Sequence, residues 1–132
     1  MRNKTLLFYL SILMLLINLS CKDDDDDSCI NFSTAFVTAV DAPETGTVSE
    51  VTPIEVDFEV FNGCTVFENF IETQEDNVIT VEIETKSEGC ICTLPVLTLS
   101  TTYRFTPENP GDYKLNFKSG PTEFITVDIT VN

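Results

Sequence analysis

The sequence predicts an all-β domain, a two-layered antiparallel β-sandwich of about seven strands, and three observations lead there. Apolar residues recur at every second position in successive short runs. Those runs are separated by clusters of Gly, Pro, Asn, Asp and Ser. No run of the domain has the three-to-four-residue spacing of an amphipathic helix. Period-two alternation means one face in a core and the other in water, which is what each layer of a sandwich requires. The domain is expected over residues 29–132, long enough to bury about 65% of its unfolded surface around one core.

The first strand, over about 34–41, is "STAFVTAV"; both its faces are apolar, and Phe36 and Val40 are taken as the inward residues. After the turn signal "APETGT" comes a strand over about 51–61, where Ile54, Val56, Phe58 and Val60 alternate with Glu55, Asp57 and Glu59. "NGC" then introduces a strand over about 65–73, and "QEDN" one over about 78–86 with Ile79, Val81 and Ile83 inward. Beyond "SEG", the run "LTLSTTYRF" predicts a strand over about 96–106, with Leu97, Leu99, Thr101, Tyr103 and Phe105 on one side. The last two strands, over about 112–118 and 123–131, are bracketed by "PENPGD" and "KSGP". Tyr113, Leu115 and Phe117 face inward from the first of these, and Ile125, Val127, Ile129 and Val131 from the second.

The string from Phe105 to Phe117, F-x-P-x-x-x-G-x-Y-x-L-x-F, resembles the corresponding region of immunoglobulin-like and PKD-like extracellular modules. Tyr113 just past its turn resembles the tyrosine corner of Greek-key sandwiches, in which the hydroxyl bonds upstream backbone. That resemblance implies an immunoglobulin-like, Greek-key order of strands and a structural role for Tyr113.

The N-terminus carries an address. Arg2 and Lys4 precede an uncharged apolar run from Leu6 to Ile17, the length of a signal-peptide core and too short for a comfortable membrane span. Ser20 then stands directly before Cys21. This resembles a bacterial lipoprotein signal peptide over residues 1–20, although Asn18 occupies a position that is usually aliphatic. The resemblance implies cleavage before Cys21 and lipidation of its thiol. Lys22 followed by Asp23, Asp24, Asp25, Asp26 and Asp27 resembles the export signal of Bacteroidota surface lipoproteins. By that resemblance residues 21–28 are an acidic tether, and the protein sits lipid-anchored in the outer membrane, facing the exterior. A solvated charge run is the plainer account of the aspartates and is compatible with it.

Loss of Arg2 and Lys4 from the 7 bases would leave 5 against 22 acids, a net charge of −17. Such a chain repels nucleic acid and anionic lipid, so no nucleic-acid partner is expected. The expected partners are the membrane, reached through the lipid anchor, and another surface protein or a glycan.

Cys29, Cys64, Cys90 and Cys92 remain once Cys21 is lipidated. An exported chain meets an oxidising compartment, so disulfides are expected. Cys90 and Cys92, two residues apart on a strand, hold their Cβ atoms too far apart for a relaxed bridge. Two pairings stay open: Cys64–Cys90 with Cys29–Cys92, or Cys64–Cys92 with Cys29–Cys90. An up-and-down walk brings the start of the first strand, the second connection and the fourth to one end, where these cysteines would gather. The alternative, a thiolate site for copper(I) or zinc built on Cys64, Cys90 and Cys92, would have to manage without histidine or C-x-x-C.

Catalytic chemistry finds little to use. There is no histidine, no G-x-S-x-G elbow and no phosphate loop, so neither enzymatic activity nor a cofactor is expected. The turns at the other end carry Glu44, Glu50, Glu72, Glu75, Asp76, Glu108 and Asp112, hard oxygens without calcium-loop spacing. Asn31-Phe32-Ser33 matches a glycosylation sequon, a chance occurrence in a bacterial chain. The function that fits is a non-catalytic binding, adhesion or accessory module. A loop-inserting protease inhibitor and a cysteine-based metal or redox protein are the rivals.

Overall fold

The computed structural model describes residues 29–132. Residues 1–20, read as a signal peptide, the expected lipidation site Cys21 and the acidic run Lys22–Asp27 lie outside the described residues. The elements are β1 (Ile30–Asp41), β2 (Thr45–Gly46), β3 (Thr52–Val60), β4 (Thr65–Glu75), β5 (Val78–Glu88), β6 (Leu97–Phe105), β7 (Gly111–Lys118) and β8 (Phe124–Val131), with no helix among the described residues.

Alternation dictates the layers. In β3 every second residue from Thr52 to Val60 is buried, and in β5 every second residue from Ile79 to Thr85. One layer contains β3 hydrogen-bonded between β1 and β6, and the other runs β4-β5-β7-β8-β2. Most pairs are antiparallel; β2 with β8 and β5 with β7 are parallel. The strand β1 belongs to both layers. Ile30–Ala35 pairs with β5, and from Phe36 to Asp41 the strand pairs with β3.

A register shift between Val37 and Ala39 accompanies that transfer. An extra residue in a strand reverses which neighbours face inward. Ala35 and Val37 are therefore the buried residues before the bulge, and Val40 packs against the core after it. This corrects the expectation for Phe36, which is only half-buried because a single alternation cannot continue through a bulge. The strand also starts at Ile30, earlier than its apolar pattern announces, because its first half is held by β5 rather than by burial.

The core is where the inner faces meet. Ile54, Val56, Phe58, Tyr103 and Phe105 come from one layer; Val81, Ile83, Tyr113, Leu115, Phe117 and Ile129 come from the other. Rings join the layers. Phe67 lies 6.3 Å from Phe58 and 4.8 Å from Phe70; Phe70 meets Tyr103 at 5.1 Å, and Tyr103 meets Phe117 edge-on at 5.6 Å. Each such pair adds about 0.5–1.5 kcal/mol beyond its area. Phe67 and Phe70 both point inward because β4 has its own register shift between Phe67 and Asn69. At the other extreme, Leu97 is 37% exposed, since it opens β6 where the layer ends.

Candidate ligand-binding site

The two ends of the sandwich differ in chemistry, and the connections explain why. At one end, the start of β1, the β3–β4 connection and the β5–β6 connection converge. Cys29 is bonded to Cys90 and Cys64 to Cys92, which is one of the two pairings the sequence left open. Backbone bonds reinforce the junction: Gly89 N–H donates to Cys29 O (2.9 Å) and Gly63 N–H to Thr93 O (2.9 Å). Gly89 has φ +142°, and a Cβ there would sit 3.3 Å from Cys64 Sγ and 3.4 Å from Cys92 Sγ, so glycine is required beside this bridge. Asn62 Oδ1 accepts from Cys64 N–H (3.0 Å) and from the Thr65 hydroxyl (2.7 Å), fixing the turn into β4.

With all four sulfurs oxidised, the thiolates needed for a soft-metal site are gone. Among the described residues, no three His, Cys, Asp or Glu side chains stand together as metal ligands.

The opposite end gathers the β2–β3, β4–β5 and β6–β7 connections. Ser49 N–H donates to Pro107 O (2.8 Å), and Lys114 N–H to Asn77 O (2.9 Å). Asp76 turns the β4–β5 hairpin at φ 54°, a left-handed conformation that Asp tolerates better than most side chains. The Tyr113 hydroxyl donates to Asn109 O (2.9 Å), which pins the β6–β7 connection against β7 while the ring packs 5.2 Å from Phe105.

These contacts hold open a cleft of about 510 Å³ between the β4–β5 hairpin and the β6–β7 connection. Ile79, Phe105, Pro107 and Tyr113 line it but are nearly fully buried, so little apolar surface is open to it. Its walls carry the carboxylates of Glu72, Asp76 and Glu108, the amides of Gln74, Asn77 and Asn109, and the guanidinium of Arg104. Arg104 has no ion-pair partner among the described residues. A second groove of about 310 Å³ between β4 and β6 shares Glu72, Tyr103 and Arg104 with the first, so the concavity continues along the open side of the sandwich. Tyr103 stands where they join. Burial, and then the hydrogen-bonded Glu72 carboxylate beside it, raise its phenol well above the usual tyrosine value, so it remains a neutral donor.

Of the acidic turn residues picked out in the sequence, Glu72, Asp76 and Glu108 reach this cleft, whereas Glu44, Glu50, Glu75 and Asp112 do not line it. Asp112 instead accepts from the Thr130 hydroxyl (2.8 Å). Sequence reasoning missed Arg104 and the three amides. The signal that would have found them is position alone, since all four lie at or beyond the strand ends that the topology brings together.

A family model for the ORF11 beta-sandwich domain matches residues 54–130. Neither the curated proteins nor the solved structures searched gave a match.

Proposed function

The chain belongs to the ORF11 beta-sandwich domain family, and from that premise we propose a non-catalytic binding module, lipid-anchored through Cys21 on the exterior face of the outer membrane, that takes a glycan in the cleft between the β4–β5 and β6–β7 connections. The observation that carries this reading is the lining of the cleft. Carboxylates, amides and a guanidinium are planar groups that hydrogen-bond pairs of neighbouring hydroxyls, and here they line a largely polar cleft. A volume of about 510 Å³ suits a ligand of one to a few sugar units. The cleft lies at the end away from Cys29, where a domain tethered at its N-terminus presents itself to the surroundings.

Lipid attachment is supported by the apolar run ending at Ser20-Cys21, and outward display by the aspartates that follow. The non-catalytic reading rests on the absence of histidine and of any nucleophile motif.

The test is a glycan array probed with the exported, oxidised protein, beside a pull-down of surface proteins. Glycan binding that Arg104→Ala and Glu108→Gln each weaken about tenfold or more is the expected result. Capture of a surface protein with the same dependence would replace the ligand but keep the site. Binding that is indifferent to both substitutions would remove the cleft from the account.

A further inference from the structure

The disulfide end is poor in charge, whereas the chain as a whole is strongly acidic. No Asp, Glu, Lys or Arg occurs from Cys29 to Val40, from Val60 to Phe67 or from Gly89 to Tyr103. These are the three segments that the bridges Cys29–Cys90 and Cys64–Cys92 tie together. Their apolar side chains point outward: Ile91 is 96% exposed, Leu94 84%, Phe61 64% and Val96 63%. Lys86 and Glu88, which lie at this end, are paired with each other at 3.1 Å. An isolated exposed leucine means little, but a rim of several around two disulfides, in a chain of net charge −15, is a segregated surface.

We propose that this rim is a membrane-contact cap: Phe61, Ile91, Leu94 and Val96 dock into the headgroup region of the bilayer that anchors the chain. The inference rests on the lipid-anchor reading and adds an orientation to it. The occupant follows from where the rest of the chain lies. Residues 21–28 join the rim at Cys29 and, fully extended, reach at most about 25–30 Å, so an anchored domain has this end held near lipid. A tether of that length keeps the cap at an effective concentration on the order of millimolar. Even weak partitioning of a few apolar side chains then suffices. Net acidity repels anionic lipid, so the contact is with zwitterionic headgroups and the acyl boundary beneath them. Docked this way, the cleft at the opposite end faces away from the membrane.

The domain has no tryptophan, which makes a clean test available. Leu94→Trp and, at the far end, Glu108→Trp are each introduced into the lipidated full-length product, reconstituted on phosphatidylcholine vesicles. Brominated phosphatidylcholine is expected to quench the Leu94→Trp emission at least twofold and to leave Glu108→Trp unchanged. Adding Ile91→Asp to the Leu94→Trp chain should relieve the quenching while the protein still floats with the vesicles. Vesicle-bound protein whose Leu94→Trp signal is unquenched would overturn the cap and leave the anchor intact. Equal quenching at both ends would overturn the orientation. Protein that fails to float, and floats no better than Cys21→Ser, would overturn the anchor and the cap with it.

Discussion

Replacing Cys64 and Cys92 together by serine tests how the domain is held closed. The bridge spans 28 residues, and the Cys29–Cys90 bridge 61. Closing loops of those lengths removes denatured-state entropy corresponding to about 3.6 and about 4.3 kcal/mol in the chain-entropy account. Cys29 and Cys90 are exposed and Cys64 and Cys92 half-buried, so serine at these positions forfeits little packing and the loop term dominates. With a urea m-value of about 1.2 kcal/mol/M, loss of the shorter bridge should lower the unfolding midpoint by about 3 M. The Cys29→Ser/Cys90→Ser chain should fall further by about 0.7 kcal/mol, the difference between the two loop terms. Loss of both bridges is comparable with the whole stability of a small domain, about 5–15 kcal/mol, and should leave it unfolded or nearly so. The assay is equilibrium urea unfolding followed by circular dichroism, under oxidising conditions. A loss below about 1 kcal/mol for the shorter bridge, or a reversed order of the two, would refute the entropic argument.

Tyr113→Phe keeps the ring against Phe105 but removes the bond to Asn109 O, and should cost about 0.5–1.5 kcal/mol in the same titration. Gly89→Ala forces a side chain into a left-handed backbone beside Cys64 and Cys92 and should cost about 1 kcal/mol or more. Tyr103 has its phenol pKa raised in the folded state, so the unfolded chain releases that proton first as pH climbs past about 10. Its contribution to stability is therefore complete below that pH and declines above it, toward the higher folded value. Tyr103→Phe should show a shallower alkaline loss than wild type, visible as converging urea midpoints between neutral pH and about 11.

Strand positions were legible because alternation states burial directly: Ile54, Val56, Phe58 and Val60 are all buried, as their pattern with Glu55, Asp57 and Glu59 demands. Where alternation is broken, legibility ends. The bulge in β1 hides which of its apolar residues face in, and β2, at Thr45–Gly46, is too short to have a period. The disulfide pairing could not be separated from its alternative because Cys90 and Cys92 differ by two positions, while the choice depends on how the β5–β6 connection folds back on Cys29. The cleft was visible only in part. Acidic turn residues stand out in composition, but Arg104 and the amides become neighbours only when β4, β6 and their connections are set side by side.

The placement of the Cys29–Cys90 bond has a mechanical consequence. A pull on the N-terminus of a strand paired along its length with a neighbour would ordinarily unzip the hydrogen bonds one after another, and β1 lies on β5 in that arrangement from Ile30 to Ala35. The covalent link sits one residue ahead of the first of those pairs, so tension arriving through residue 28 passes into sulfur before it reaches the strand. If the chain is held through residues 21–28 as proposed, drag on its far end would reach a bond that does not peel before it reaches the β1–β5 pairing.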